Sequence, residues 1–365
     1  MKKSSYVINS RAKNRATMYL ENLIRNRGLV GERANSNISI VQAYLNEFGI
    51  EHEMVSSNGH KSLVTKKSDI ILNSHVDVVP GRVEQFLPKI ISNRMYGRGA
   101  ADALGCAVSM IVCAQELKML NKDVDLMIVS DEEAGGIYGT KYVLENIFSR
   151  SELNKVKYAI VGEPTESFGF SVREKGILRL RLKVRGKSGH PEHEDIDNAI
   201  SKAAEIINFV KSSELLKRRD ELYDQMLHIN PTIIEGGVAS NVVPDKVIVE
   251  YDIRFAYGIQ VNEILAIFDA LKNKYDFDYD ILRSRSASYV DSNNDYFSII
   301  NRIADNPEKI VTNGASDYSY FFEKGIAGVV YGVKGAGWHK KEEFVELDSM
   351  YDYIENIINF VLEAK

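Results

Sequence analysis

Acidic and imidazole side chains able to hold a metal ion recur in this sequence at one kind of place, the end of an apolar run. His75-Val-Asp77 follows Asp69-Ile-Ile-Leu-Asn-Ser74, and Asp131-Glu-Glu133 follows Val124-Asp-Leu-Met-Ile-Val-Ser130. Glu163 follows Lys157-Tyr-Ala-Ile-Val-Gly162, and His339 closes Gly335-Ala-Gly-Trp-His339 after the apolar run 326–333. Asp102 stands alone in Met95-Tyr-Gly-Arg-Gly-Ala-Ala-Asp-Ala-Leu-Gly105, among glycines that permit positive φ or close approach. That aspartate reads either as a helix N-cap in a glycine-rich turn or as a carboxylate aimed at a ligand. Two imidazoles with several carboxylates form a hard-to-borderline donor set, suited to zinc and less well to manganese or cobalt. Acids crowded together repel one another and call for a cation. Residues two apart on a strand face the same way, so Asp77 can reach back to the far ring nitrogen of His75. Glu132 and Glu133 face different sides, which makes one a ligand and the other a proton shuttle.

The elements that must position these residues alternate. Helices are expected over 15–26, 37–48, 107–120 and 138–148, and strands over 51–56, 62–66, 70–74, 124–130 and 157–161. The strands before His75 and Asp131 are apolar on both faces, as in a covered sheet, and ligand sites in open α/β sheets lie at such strand ends. From residue 173 the texture changes. Leu178-Arg-Leu-Arg-Leu-Lys-Val-Arg185 alternates strictly, a helix follows over 196–210, and a charged helix is expected over 214–227. Strands over 232–235, 246–255 and 277–282, with a helix over 262–275, complete a βαββαβ order. Residues 173–285 thus read as a domain inserted between 1–172 and 286–365. The expected fold is a mixed central sheet covered by helices, carrying an inserted ferredoxin-like domain.

The chain has 365 residues, 44% hydrophobic and 27% charged, with a net charge of -5. That balance argues against a general nucleic-acid or membrane-surface binder. No apolar run approaches a membrane span, and the start Met1-Lys-Lys-Ser-Ser lacks a signal-peptide core. Cys106 and Cys113, two helical turns apart, are too distant for a disulfide and read as small core residues in a reducing cytoplasm.

His75-x-Asp77, Gly97-Arg-Gly-Ala-x-Asp102, Asp131-Glu-Glu-x-Gly135, Gly162-Glu-Pro164 and the late His339 occur in an order and spacing that resembles the dinuclear zinc aminoacylase and carboxypeptidase family. Within it the chain looks like the acetylornithine deacetylase and succinyl-diaminopimelate desuccinylase branch. The resemblance covers nearly the whole chain. It implies two Zn2+ ions, with Co2+ or Mn2+ able to substitute. Asp102 matches the bridging carboxylate, His75 and Glu163 the other ligands of one ion, and Glu133 and His339 those of the second. Glu132 matches the general base and Asp77 the partner of His75. His190, in Lys187-Ser-Gly-His190, matches a histidine lent by the partner of a homodimer formed through the inserted domain. Asn241 in Ser240-Asn-Val-Val-Pro244, Arg254 in Asp252-Ile-Arg254, and Gly314 and Ser316 in Gly314-Ala-Ser-Asp317 match substrate-binding positions. The implied activity is removal of an N-acyl group, acetyl foremost, from an amino acid, a basic one such as ornithine or lysine. A desuccinylase or carboxypeptidase of the same fold is the alternative, and a non-catalytic relative the third reading.

Plainer readings stand beside these. Taken singly, His190 is a solvated loop histidine and Arg254 an ion-pair partner on a polar strand face, equally suited to a substrate carboxylate. The face Arg179, Arg181, Lys183, Arg185 lacks interleaved aromatics and reads as a solvated sheet face rather than a nucleic-acid strip. His52, His60, His193 and His228 lie outside every motif. Two departures from the branch bear on substrate. Leu104 replaces a usual lysine after Asp102, which should touch the helix start rather than the ions. Tyr318 and Ser319 follow Ser316-Asp317 where desuccinylases carry an arginine, and Arg173 is the only nearby substitute for a second one. The missing arginine and the uncertain register of Arg173 leave an acidic acyl group fewer partners, which favours acetyl or another small neutral acyl group.

Overall fold

The computed structural model describes residues 5–192 and 196–364; the polar start before Ser5 and His193, considered above, lie outside the described residues. The chain divides into two compact units, one of residues 1–172, 290–310 and 316–365, the other of 173–289 and 311–315. The boundary expected at 285 therefore falls at 289, and a short later segment also belongs to the second unit.

In the first unit the sheet runs Glu53–Ser57, His60–Val64, Asp125–Val129, Ile70–His75, Tyr158–Val161, Gly328–Tyr331, Phe170–Glu174 in spatial order. Ile70–His75 is parallel to both neighbours, and Gly328–Tyr331 is parallel to Tyr158–Val161, whereas the outer pairs are antiparallel. Successive side chains on these strands feed two separate cores. Ile70, Leu72, Leu126, Ile128, Tyr158 and Ile160 pack with the helices Ser10–Asn26, Cys106–Met119 and Leu347–Ala364. Ile71, Met127, Val129, Ala159 and Val161 pack on the other face with Val143, Leu144 and Phe321. Burial on both sides explains why these runs read as apolar throughout. A second, antiparallel sheet orders Gly335–Ala336, Phe344–Glu346, Arg94–Tyr96 and Lys89–Ile91, none of which the sequence pattern announced.

Contrary to expectation, among the described residues one run is long and apolar enough to cross a membrane, Ala100–Met119, the core helix and the turn before it; 94% of its 18-residue apolar window is buried inside the protein. Cys106 and Cys113 are free and buried within it. The helix expected over 138–148 is two short turns, Ile137–Lys141 and Val143–Ile147.

The second unit is a four-stranded antiparallel sheet in the order Leu227–Gly236, Lys246–Phe255, Gly176–Arg185, Phe277–Arg285, the ferredoxin-like order. Helices Ala199–Lys211 and Val261–Asp269 contribute to the core on its apolar face. On the opposite face the cations are matched across strands: Arg179 with Asp252, Arg181 with Glu250, Lys183 with Asp280, Arg185 with Asp276 and Asp278. Such cross-strand pairing makes the strip a solvated, charge-balanced face. The charged helix expected over 214–227 does not form beyond the turn Glu214–Lys217. Asp220 instead turns its carboxylate onto the amides of Leu222 (2.8 Å) and Tyr223 (2.6 Å), a local bond that competes with helix. The next strand accordingly starts at Leu227 rather than 232, and the helix expected to reach 275 stops at Asp269.

Candidate metal centre

Three adjacent parallel strands end side by side. Asp125–Val129 delivers Glu132 and Glu133, Ile70–His75 delivers His75 and Asp77, and Tyr158–Val161 delivers Glu163. Asp102 comes from the turn between Arg94–Tyr96 and the core helix. Gly99 takes φ +81 there, and a Cβ on it would meet Val78 at 2.4 Å. His339 follows Gly335–Ala336 with φ 61, a left-handed conformation uncommon outside glycine and found at functional turns.

Two donor clusters result, His75 with Glu132 and Glu163, and Asp102 with Glu133 and His339; within each, donor atoms lie within 4.8 Å of one another. Asp102 faces both histidines, Oδ1 at 3.4 Å from His75 Nε2 and Oδ2 at 3.3 Å from His339 Nε2. Glu163 Oε2 is 3.7 Å from His75 Nε2, and Glu133 Oε1 is 3.1 Å from His339 Nε2. The fit to a cation can be judged from these numbers. Bonds of about 2.0–2.2 Å place tetrahedral donors about 3.3–3.6 Å apart, and the separations found, from 3.1 to 3.7 Å, bracket that spacing. His75 Nε2 is buried without a hydrogen-bond partner, while its Nδ1 is engaged with the Asp77 carbonyl at 3.0 Å. A buried imidazole nitrogen that faces carboxylates while the other ring nitrogen is held by a carbonyl has the arrangement of a metal-binding histidine.

The electrostatics agree. Burial opposes charge on His75, yet Glu163, Asp102 and Asp77 carry its pKa well above the histidine range. Contacts with Asp102 and Glu133 push His339 up to about 10. Burial raises Glu163 strongly and Glu133 as well. Burial alone would raise Asp102 too, but the two histidines pull it down.

Supporting side chains converge from remote segments. The Asp77 carboxylate accepts the amides of Glu132 (3.2 Å) and Glu133 (3.0 Å). Tyr320 Oη donates to the Gly135 carbonyl at 2.6 Å, and Thr140 Oγ1 donates to Asp317 Oδ2 at 2.6 Å, both fixing the loop after Glu133. Glu343 accepts the amides of Ala101 and Asp102 and pairs with Arg98. Sequence reasoning missed Glu343 within the solvated-looking Lys340-Lys-Glu-Glu343. One signal was available, since Glu343, Val345 and Leu347 alternate as a buried face. Leu104 is a core residue beside Gly99, consistent with a role at the helix start.

The remaining expected site residues lie elsewhere. Ser316 is buried, and its hydroxyl accepts from the Tyr318 amide at 3.3 Å at the start of Tyr318–Glu323. His190, Asn241, Arg254 and Gly314 belong to the second unit. His190 and Asn241 are exposed and sit at one end of it, where a bridge joins Gly189 to Val243. Arg254 makes a two-point pair with Asp252, at 2.6 and 3.2 Å. Arg173 pairs with Asp220 at 3.3 Å.

A mixed sheet whose parallel central strands, together with the Asp102 turn and the His339 loop, gather two acid-and-histidine clusters defines an α/β protein with candidate ligands for two divalent ions. The chain belongs to peptidase family M20/M25/M40, whose model matches residues 71–363. It is 31% identical over 232 residues to a [LysW]-lysine/[LysW]-ornithine hydrolase of Saccharolobus islandicus, a match covering 63% of this chain. The chain spans 60% of the length of that relative. It is 25% identical to a succinyl-diaminopimelate desuccinylase of Rickettsia bellii, over 95% of this chain and 96% of the relative. In fold it is similar to a tripeptidase of Staphylococcus aureus, with a TM-score of 0.76 and 20% identity over 98% of both chains. It is similar also to a dinuclear metal-binding M20 peptidase of Bacillus subtilis, with a TM-score of 0.70 and 15% identity over 98% of this chain and 99% of the other.

Proposed function

We propose that the protein is a two-metal amidohydrolase that removes an N-acyl group, acetyl foremost, from an amino acid such as ornithine or lysine. The observation that carries this is the bridging position of Asp102, one carboxylate oxygen toward each histidine. His75, Glu163 and Asp102 would hold one ion, and Glu133, His339 and Asp102 the other, zinc being the metal that suits the donors. Such a pair supplies the positive charge that polarises an amide carbonyl and acidifies the attacking water. Glu132, beside the ligands, takes the water's proton and returns it to the leaving nitrogen, a role worth roughly 10²–10⁴ in rate. Asp77 holds the His75 ring and the Glu132 backbone in register. His190 donates to the developing oxyanion, and Arg254, Asn241, Gly314 and Ser316 line the substrate.

Lysine and ornithine in the name of the Saccharolobus relative support a basic amino acid. Arg254 and Arg173, the cations available for an acidic acyl group, each already hold a carboxylate, which supports a neutral one. The desuccinylase relative, matched over nearly the whole chain, supports the alternative, N-succinyl-diaminopimelate. We place the enzyme in the cytoplasm as a homodimer joined through the second unit. There the edge strand Leu227–Gly236 exposes Ile233 and Ile234, with the exposed Val238 just beyond its end.

Hydrolysis of a panel of acetyl-, succinyl- and peptidyl-amino acids by zinc- and cobalt-loaded protein tests the assignment. N-acetylornithine or N-acetyllysine is expected to exceed N-succinyl-diaminopimelate in kcat/KM. A tenfold preference for the succinyl compound, about 1.4 kcal/mol in transition-state binding, would install the alternative.

A further inference from the structure

We infer that Glu343 and Arg98 form a positioning unit that fixes the Asp102 turn against the His339 loop and thereby sets the cation affinity of the Asp102–Glu133–His339 cluster. The inference rests on the two-metal reading above. Neither residue faces a cation in that reading. Both are buried, with Arg98 4% and Glu343 2% exposed. Arg98 Nη1 donates to Glu343 Oε2 at 2.6 Å, and Glu343 Oε1 accepts the amides of Ala101 and Asp102, each at 3.2 Å. A carboxylate taken from water is retained where a counter-charge and donors surround it, and a charged acceptor makes those bonds stronger than neutral ones.

Main-chain bonds run alongside. The Gly97 amide donates to the Glu343 carbonyl at 3.1 Å, and the Arg98 amide to the Gln85 carbonyl at 2.7 Å. Gln85 Nε2 in turn donates to the Lys340 carbonyl at 3.0 Å. The small sheet pairs Tyr96 with Phe344 and Met95 with Val345. Two segments more than 200 residues apart in sequence are thus tied within four residues of His339 on one side and at Asp102 itself on the other. Donor atoms of a metal site must hold position to about 0.5 Å, and Asp102 and His339 now stand 3.3 Å apart. The tie between their segments is the feature that keeps that separation.

The test is a cobalt titration of metal-free protein followed by visible absorption. The proteins compared are wild type, Glu343→Gln, Glu343→Ala, His339→Ala and the double variant Arg98→Met/Glu343→Leu. Thermal melts and circular dichroism of the metal-free forms establish that each is folded. In Glu343→Ala the first equivalent is expected to bind as in wild type, with the spectrum that His339→Ala gives. The second equivalent is expected to bind about 10–100-fold more weakly, the usual cost of losing such support. Glu343→Gln, which keeps an acceptor oxygen but no charge, falls between. Where Glu343→Ala is unfolded, the double variant leaves no buried charge unpaired and gives the same readout. Folded variants that bind both equivalents with wild-type affinity overturn the positioning role and leave the two-metal reading intact. Wild-type protein that binds fewer than two ions overturns the two-metal reading and this inference with it.

Discussion

Asp77 Oδ1 lies 3.3 Å from His75 Nδ1 and 3.2 Å from the backbone nitrogen of Glu132. One buried carboxylate thus touches a candidate ligand histidine and the segment carrying the proposed base. From the sequence, its side chain was expected to grip the His75 ring. The shorter contact to that ring is the Asp77 carbonyl, at 3.0 Å, and the carboxylate is shared with the amides of Glu132 and Glu133.

Asp77→Asn is therefore expected to damage both parts together. Its amide group cannot accept from two backbone donors and also face the imidazole with the same charge. Metal affinity should fall about 10–100-fold, and kcat/KM with it. Metal content after dialysis, measured beside the melting temperature of the metal-free protein, checks this. Unchanged metal content with lost activity would confine Asp77 to the base.

The adjacent glutamates divide differently. Glu133 faces His339 at 3.1 Å in one donor cluster, whereas Glu132 groups with His75 and Glu163 in the other. Glu132→Gln is expected to retain both ions and lose roughly 10²–10⁴ in kcat. Glu133→Gln is expected to lose metal first, and activity as a consequence. Wild-type turnover by Glu132→Gln would move the base to another group.

Of the candidate ligands, His75, Glu133 and Glu163 were legible because they follow runs apolar enough to be buried strands, whereas Asp102 stood out only as a lone acid among glycines. Parallel strands that share a sheet bring such ends together, so order along the chain became proximity in space. The supports were not legible in the same way. Arg98 and Glu343 sit in segments that look like a glycine turn and a solvated charge run, and only the fold pairs them across the small sheet. Residues 214–227 misled for a local reason, since Asp220 bonds nearby amides, and a charged pattern does not reveal that competition. The basic strip of the second unit was legible as a face, but its acid partners come from neighbouring strands whose register is set by the fold.

Protons and metal compete, which fixes a pH dependence. His75, Glu133, Glu163 and His339 all have pKa values raised in the folded, metal-free protein, His339 to about 10. A group raised on folding stabilises the fold below its unfolded pKa and loses that contribution as pH climbs through the folded value. For His339 the window runs from about 6.5 to about 10. The metal-free protein should therefore melt at progressively lower temperature across that window, and zinc-loaded protein should show a smaller decline. Zinc affinity should rise with pH over the same range, because each proton expelled from a ligand counts against binding. Melting curves in chelator and in zinc, at half-unit steps of pH, measure both. A flat metal-free profile would mean that these contacts do not survive in solution.

The last prediction concerns His190. It is exposed at one end of the second unit, where the bridge between Gly189 and Val243 joins its loop to the loop of Asn241. Two expected substrate-facing positions are therefore presented together by a unit with its own core. It pairs with Glu192 at 3.5 Å, an exposed contact of the kind worth little in stability. An oxyanion donor borne on a separate unit engages only when substrate draws it in, which links binding to chemistry. In a dimer that donor can serve the neighbour's metals. Chains carrying Glu132→Gln and chains carrying His190→Ala should each be inactive alone. After subunit exchange, a mixed dimer in which His190 acts across the interface has one site with both defects and one with neither. About half the wild-type activity per mixed dimer should then return. Exchange verified by mass spectrometry, with no activity recovered, would place His190 in its own chain's site or outside catalysis.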